Sequence, residues 1–162
     1  MQYFLIKSEP SVYSWDTFLQ EKQTFWSGVR SHQAKNNLKL MKKDDLLLFY
    51  HSNEGKEIVG VAKVLTEAYK DDTAGETDKI EWVGVDVVPV ETLKSVILFT
   101  VAPSASVGVD VVPVETLKKP ITLAFIKADE ILKEMLLVKQ SRLSVTAVTK
   151  QEFERIIELA NM

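Results

Sequence analysis

Cysteine is absent from the 162-residue chain, which rules out disulfide scaffolds and thiolate metal sites. Histidine is scarce. His32 and His51 are the only two, too few for a histidine-rich zinc or iron centre, so neither a metal nor a cofactor is expected. No apolar run approaches the roughly 20 residues of a membrane span, and no membrane partner is expected. The opening MQYFLIKSEP has no basic start, apolar stretch and small-residue cleavage site of the secretory kind, so a cytoplasmic protein is the expectation. An excess of positive charge is also missing. The net charge of −3 argues against a protein that grips long stretches of phosphate backbone, because that grip needs many lysines and arginines.

What remains is the profile of an ordinary globular domain, 46% hydrophobic and 27% charged, at a length that fits one domain over 1–162. Charge is unevenly spread. Arg30, Lys35, Lys39, Lys42 and Lys43 fall in one stretch without an acidic residue. Such a run is either a solvated helix face or a landing surface for a few phosphates.

Tyr3–Lys7 is a short β-prone run ending before Pro10. Ser14 caps a helical turn carrying Trp15, Phe18 and Leu19. The segment Phe25-Trp26-Ser27-Gly28-Val29-Arg30 reads as a loop. Ser31 then caps a helix with the stripe Ala34, Leu38 and Met41. Leu46–Ser52 reads as a strand whose pleat separates Leu46, Leu48, Tyr50 and Ser52 from Leu47, Phe49 and His51. After the turn at Asn53-Glu54-Gly55, Ile58–Val64 is a further strand, and its Gly60 marks a bulge or the close approach of another group. Asp71–Lys79 is a polar loop. Thr149 and Glu152 form a T-x-x-E capping box ahead of the stripe Phe153, Ile156, Ile157 and Ala160. Short strands with singly inserted helices indicate an α+β fold with a small curved sheet or barrel.

The sequence VGVDVVPVETLK occurs twice, at 83–94 and 107–118. Two copies are too few for a solenoid. A tandem insertion within 83–118 explains them better, with one copy expected to fill a core strand. Val85 and Val87 alternate with Asp86 and Val88, so both copies offer the same two faces. The extra block is expected to leave the fold as a hairpin-like excursion.

Four ordered segments carry a family resemblance: YFLIKSEP with VYSWDTF, then WSGVRSHQAKNNLK, DLLLFYHSNEGKEIVGVAKV and SRLSVTAVTKQEFERI. Together with PITLAFIKAD they resemble the EVE domains, which are similar to PUA and YTH modules. The resemblance implies a PUA-like curved sheet or pseudo-barrel with flanking helices. It also implies a non-enzymatic module that takes one modified base of DNA or RNA, of the cytosine type, into a pocket; a monomer is expected, the resemblance itself leaving the oligomeric state open. The duplicated block departs from the family, whose chain runs directly from a strand into Lys-Lys-Pro-Ile-Thr-Leu, and the Asp71–Lys79 loop is short for it.

A lone base can be held by aromatic stacking, worth roughly 1–3 kcal/mol, with hydrogen bonds reading its edge. Trp26 is the stacking candidate, its alternative being an ordinary core tryptophan. Gly28 either admits close backbone approach or serves a plain turn, and Val29 accompanies it. Arg30 reads a phosphate or base edge, or forms a structural ion pair. Gln33 and Asn36 lie three apart on the following helix. Ser8, Tyr50, His51 and Ser52 supply hydroxyls and an imidazole, while Arg142 and Ser144 close the far side. Lys35 and Lys39 are the phosphate candidates. A hydrolase built on Ser8 and His51 with Glu9 or Asp45 is a competing reading, and so is an interaction module with a vestigial pocket. No phosphate-binding loop, nucleophile elbow, deaminase or dinucleotide signature supports an enzyme.

Overall fold

The structure, a computed structural model, describes residues 1–70, 83–90 and 117–162. The predicted Asp71–Lys79 loop and the block between the duplicated segments lie outside them. The described strands are β1 (Tyr3–Ser8), β2 (Thr24–Trp26), β3 (Leu46–His51), β4 (Glu57–Val64), β5 (Tyr69–Lys70), β6 (Val83–Val90), β7 (Ile121–Thr122) and β8 (Val145–Val148). The helices are α1 (Trp15–Glu21), α2 (His32–Leu40), α3 (Leu123–Ala128), α4 (Leu136–Lys139) and α5 (Lys150–Asn161). The main sheet runs β2-β6-β4-β3-β1-β8, with β5 on β6 and β7 on β4. Strands β1 and β3 are parallel, from Tyr3 opposite Leu46 to Ser8 opposite His51, and the other pairings are antiparallel. This is a curled, mixed half-barrel sheet with helices on both sides, the α+β architecture expected.

Local chemistry explains the helix starts. The hydroxyls of Ser14, Ser31, Thr122 and Thr149 each accept an orphan first-turn N–H. At α5 the capping box is complete, with Glu152 reaching back to the Thr149 N–H at 2.7 Å. The strand pleat then sorts the core. Phe4, Ile6, Leu47 and Phe49 face α1 and α2, whereas Leu5, Leu48 and Tyr50 face α3–α5. Gly60 has a close-approach role, because an added Cβ would sit 2.2 Å from the Trp15 indole. Phe25 and Trp26 depart from the expected loop, lying in the strand Thr24–Trp26. It is a short edge strand on β6, and the partner lies so far away in sequence that local reading missed it.

The duplicated sequence is used in an unexpected way. Val83–Val90 of the first copy fills the strand between β2 and β4, with Val85 and Val87 fully buried. Leu117, from the second copy, is buried too, and its N–H donates to Val59 O of β4 at 3.1 Å. That contact lies two residues along β4 from Val61, the partner of Val90. Among the described residues, Val90 of the first copy and Leu117 of the second thus both meet β4.

Candidate functional site

Two loops meet at the C-terminal end of β1. The first, Ser27–Ser31, is pinned at three points: Trp26 and Val29 are buried in the core, and Ser31 caps α2. Gly28 turns it with φ +74°, and nothing lies within 4 Å of where a Cβ would stand. Its conformation, rather than a close contact within the chain, calls for glycine. The second loop, Gln140–Ser144, is held by Leu143, which is buried and donates to Gln140 O at 3.0 Å. The Lys7 N–H donates to Ser144 O at 3.0 Å.

Between them lies a cleft of about 280 Å³, near the lower end of the roughly 300–1,000 Å³ typical of ligand pockets. Lys7, Ser8, Val12 and Tyr13 form one side, the β2 strand and Ser27–Val29 another, and Ser144 the third. A neighbouring groove of about 440 Å³ is lined by Ser31, Gln33, Lys139, Gln140, Ser141 and Arg142, with Leu143 at its base. Lys7 joins the two depressions. It lines the cleft, and its Nζ donates to Ser141 O at 2.9 Å. The same ammonium stands 5.9 Å from the Tyr50 ring, and burial holds its pKa below the ordinary lysine value.

The cleft therefore collects Ser8, Trp26, Gly28, Val29 and Ser144 from the sequence candidates. Trp26 reaches it while only 9% exposed. Its ring makes an edge contact with Phe49 at 5.6 Å and with Tyr13 at 6.3 Å, so it is a core tryptophan whose border forms cleft wall. Gln33 and Arg142 belong to the groove instead. Arg30 is exposed on the chain between cleft and groove, its Nη1 donating to Val29 O at 3.2 Å.

Tyr50 does not join them. The pleat that turns Phe49 toward Trp26 turns Tyr50 to the opposite face, where it is 4% exposed among aliphatic side chains. Ser52 contributes a backbone N–H to Ser8 O at 2.8 Å and does not line the cleft. Asn36 is exposed on α2 and lines neither depression. Its neighbour Asn37 is the engaged one, donating to Val145 O at 2.7 Å. Lys35 and Lys39 also lie on α2 outside both linings.

His51 is half-buried, and its Nε2 accepts the Trp15 N–H at 3.1 Å. Burial lowers its pKa, partly offset by Glu57 and Asp16. Although Ser8 and His51 are register partners, that Nε2 lone pair is occupied. Asp45 stands at the other end of β3, accepting from the Gln2 and Lys42 N–H groups at 2.6 and 2.8 Å. A Ser8–His51–Asp45 relay is not assembled.

Lys7 and Tyr13 were missed, though each carried a signal. Lys7 precedes Ser8 in the same motif, and Tyr13 is an aromatic outside any helical stripe, the argument that singled out Trp26. Tyr13 donates to Glu21 at 2.7 Å, and burial with that contact pushes its phenol well above the ordinary range. Gln140 and Ser141 carried no signal, being polar residues in a polar loop.

The EVE domain family model matches residues 2–106 and 102–159, in two overlapping pieces that meet in the duplicated region. The chain belongs to the EVE domain family. Mouse thymocyte nuclear protein 1 is 34% identical over 97% of this chain and 73% of its own length. The human protein is 32% identical over 89% of this chain, which spans only 63% of that relative. Among solved structures, the protein Rpa0253 from Rhodopseudomonas palustris is 37% identical with a TM-score of 0.78, covering 99% of this chain and 94% of that one. Human THYN1 in complex with 5-methylcytosine containing DNA is 27% identical with a TM-score of 0.74, covering 100% of this chain and 99% of that one.

Proposed function

We propose that this EVE domain binds DNA non-enzymatically by admitting one modified base, 5-methylcytosine, to the cleft between Ser8, Trp26–Val29 and Ser144. The observation that carries this reading is the likeness along the whole chain to human THYN1, whose structure holds 5-methylcytosine containing DNA. The geometry suits it. The cleft is small, has an aromatic wall at Trp26 and Tyr13, and carries hydroxyls at Ser8, Thr24, Ser27 and Ser144. One buried base needs few phosphate contacts, in keeping with a net charge of −3. The occupied Nε2 of His51 favours binding over turnover.

Fluorescence anisotropy with matched oligonucleotides carrying cytosine or 5-methylcytosine at one position, single- and double-stranded, tests this. The methylated ligand is expected to bind more tightly. Equal affinity for the two would overturn the reading, and preference for a methylated RNA oligonucleotide would reassign the nucleic acid.

A further inference from the structure

We infer that the groove beside the cleft is a seat for a single backbone phosphodiester next to the bound base, with Arg142 its main contact and Lys139 its second. The inference rests on the nucleic-acid part of the proposed function, not on which base is read. The groove is continuous with the cleft along two chain segments. Val29 lines the cleft and Ser31 the groove, while Ser144 lines the cleft and Arg142 the groove. A strand whose base enters the cleft has its adjoining phosphate on this surface.

The lining chemistry fits an anion. No carboxylate lines the groove, and its two charged residues are both cations. Several nearby acceptors are already engaged. Leu136 O takes the Gln140 N–H at 2.8 Å, Gln140 O takes the Leu143 N–H at 3.0 Å, and Ser141 O takes the Lys7 ammonium at 2.9 Å. The Gln140 amide oxygen accepts from Gln33 at 2.9 Å, tying α2 to the Gln140–Ser144 loop. Arg142 is exposed, and its guanidinium fork matches two phosphate oxygens. Lys139 is paired with Glu134 at 2.6 Å, both about half-exposed. Such a surface pair is weak and gives way to a phosphate. Lys35 and Lys39, the phosphate candidates of the sequence, line neither depression.

A coupling experiment between protein charge and phosphate charge tests this. The full chain and its R142Q and K139Q variants are titrated with an oligonucleotide carrying one 5-methylcytosine. In two further ligands, one of the linkages flanking that base is replaced by a neutral methylphosphonate. For one linkage, wild-type affinity is expected to fall roughly tenfold, the scale of a hydrogen bond to a charged group, and R142Q is expected to abolish that penalty. R142Q also lowers the slope of log K against log salt by about 0.7–0.9. If the methylphosphonate penalty is the same in wild type and R142Q for both linkages, Arg142 does not contact a flanking phosphate and the inference falls. If coupling appears but wild type binds cytosine and 5-methylcytosine ligands equally, the phosphate seat stands and the modified-base reading fails. Both side chains are exposed, so unchanged melting temperatures separate lost contact from lost fold.

Discussion

On one face of the sheet, aromatic rings gather around Phe49, which lies tilted against Trp15, stacked on Phe18 and edge-on to Trp26 at centroid separations of 5.2, 5.7 and 5.6 Å. On the other, Leu5, Leu48, Ile58, Ile126, Leu132 and Ile156 form a mainly aliphatic layer beneath α3–α5. Both layers are buried. Only the aromatic layer reaches the candidate site, through the border of Trp26 and through Tyr13, which line the cleft. A large planar side chain such as Trp26 can belong to the core at one edge and form pocket wall at the other. Stability and recognition are thus entangled on one face and separable on the other.

The strongest test of that contrast truncates one side chain on each face. Trp26→Ala is expected to cost about 3–5 kcal/mol and Ile156→Ala about 2–5 kcal/mol, read from urea midpoints. Oligonucleotide binding measured on the folded fraction should survive Ile156→Ala and be lost with Trp26→Ala. Equal binding by both would remove Trp26 from the site.

Next in size is the polar clasp on the aliphatic face. The buried Asp129 carboxylate accepts from the Ile131 and Leu132 N–H groups at 3.0 and 3.1 Å and from Arg155 at 3.0 Å. Burial pushes its pKa up, but these donors outweigh it and hold the carboxyl below its ordinary value. A depressed carboxylate stabilises the fold above its unfolded pKa, and that contribution is lost as pH falls through the folded one. Asp129→Asn should cost about 2 kcal/mol at neutral pH, with the difference from wild type shrinking below about pH 4. Binding should not change.

The sheet between the faces gives a prediction of opposite sign. Because the repeats are identical, removing 91–114 or 95–118 leaves the same chain. It keeps both described anchors on β4, at Val61 and Val59, and shortens their connection by 24 residues. Loop-closure entropy predicts a gain of about 1–2 kcal/mol, seen as a higher melting temperature. A lower one would show that the inserted block is integral to the fold.

The smallest effect concerns His51 on the aromatic face. Its lowered pKa, caused mainly by burial, means that the folded state favours the neutral ring accepting from Trp15. Stability is then fully present above about pH 6.5 and lost as pH falls toward the folded value. Urea midpoints measured down to pH 5 should decline in wild type and flatten in His51→Gln. This window lies well above that of Asp129, so the two faces can be titrated separately.

The sequence by itself determined the elements governed by neighbours along the chain. The caps at Ser14, Ser31 and Thr149, the α2 and α5 stripes and the β3 pleat all follow from contacts or periodicities readable locally, whereas the choice between a bulge and a close approach at Gly60 waited on Trp15. The ordered motifs also carried the family. Only the tertiary structure decided that Thr24–Trp26 is an edge strand, that Tyr50 faces away from Trp26, and that Val90 of one repeat and Leu117 of the other both meet β4. It alone brought Gln140–Ser144 against Ser27–Ser31, more than 100 residues apart in sequence. Each of these depends on which distant strand or loop supplies the missing hydrogen bonds and apolar cover. Many partners satisfy that requirement equally well in a one-dimensional pattern, and packing in three dimensions selects one.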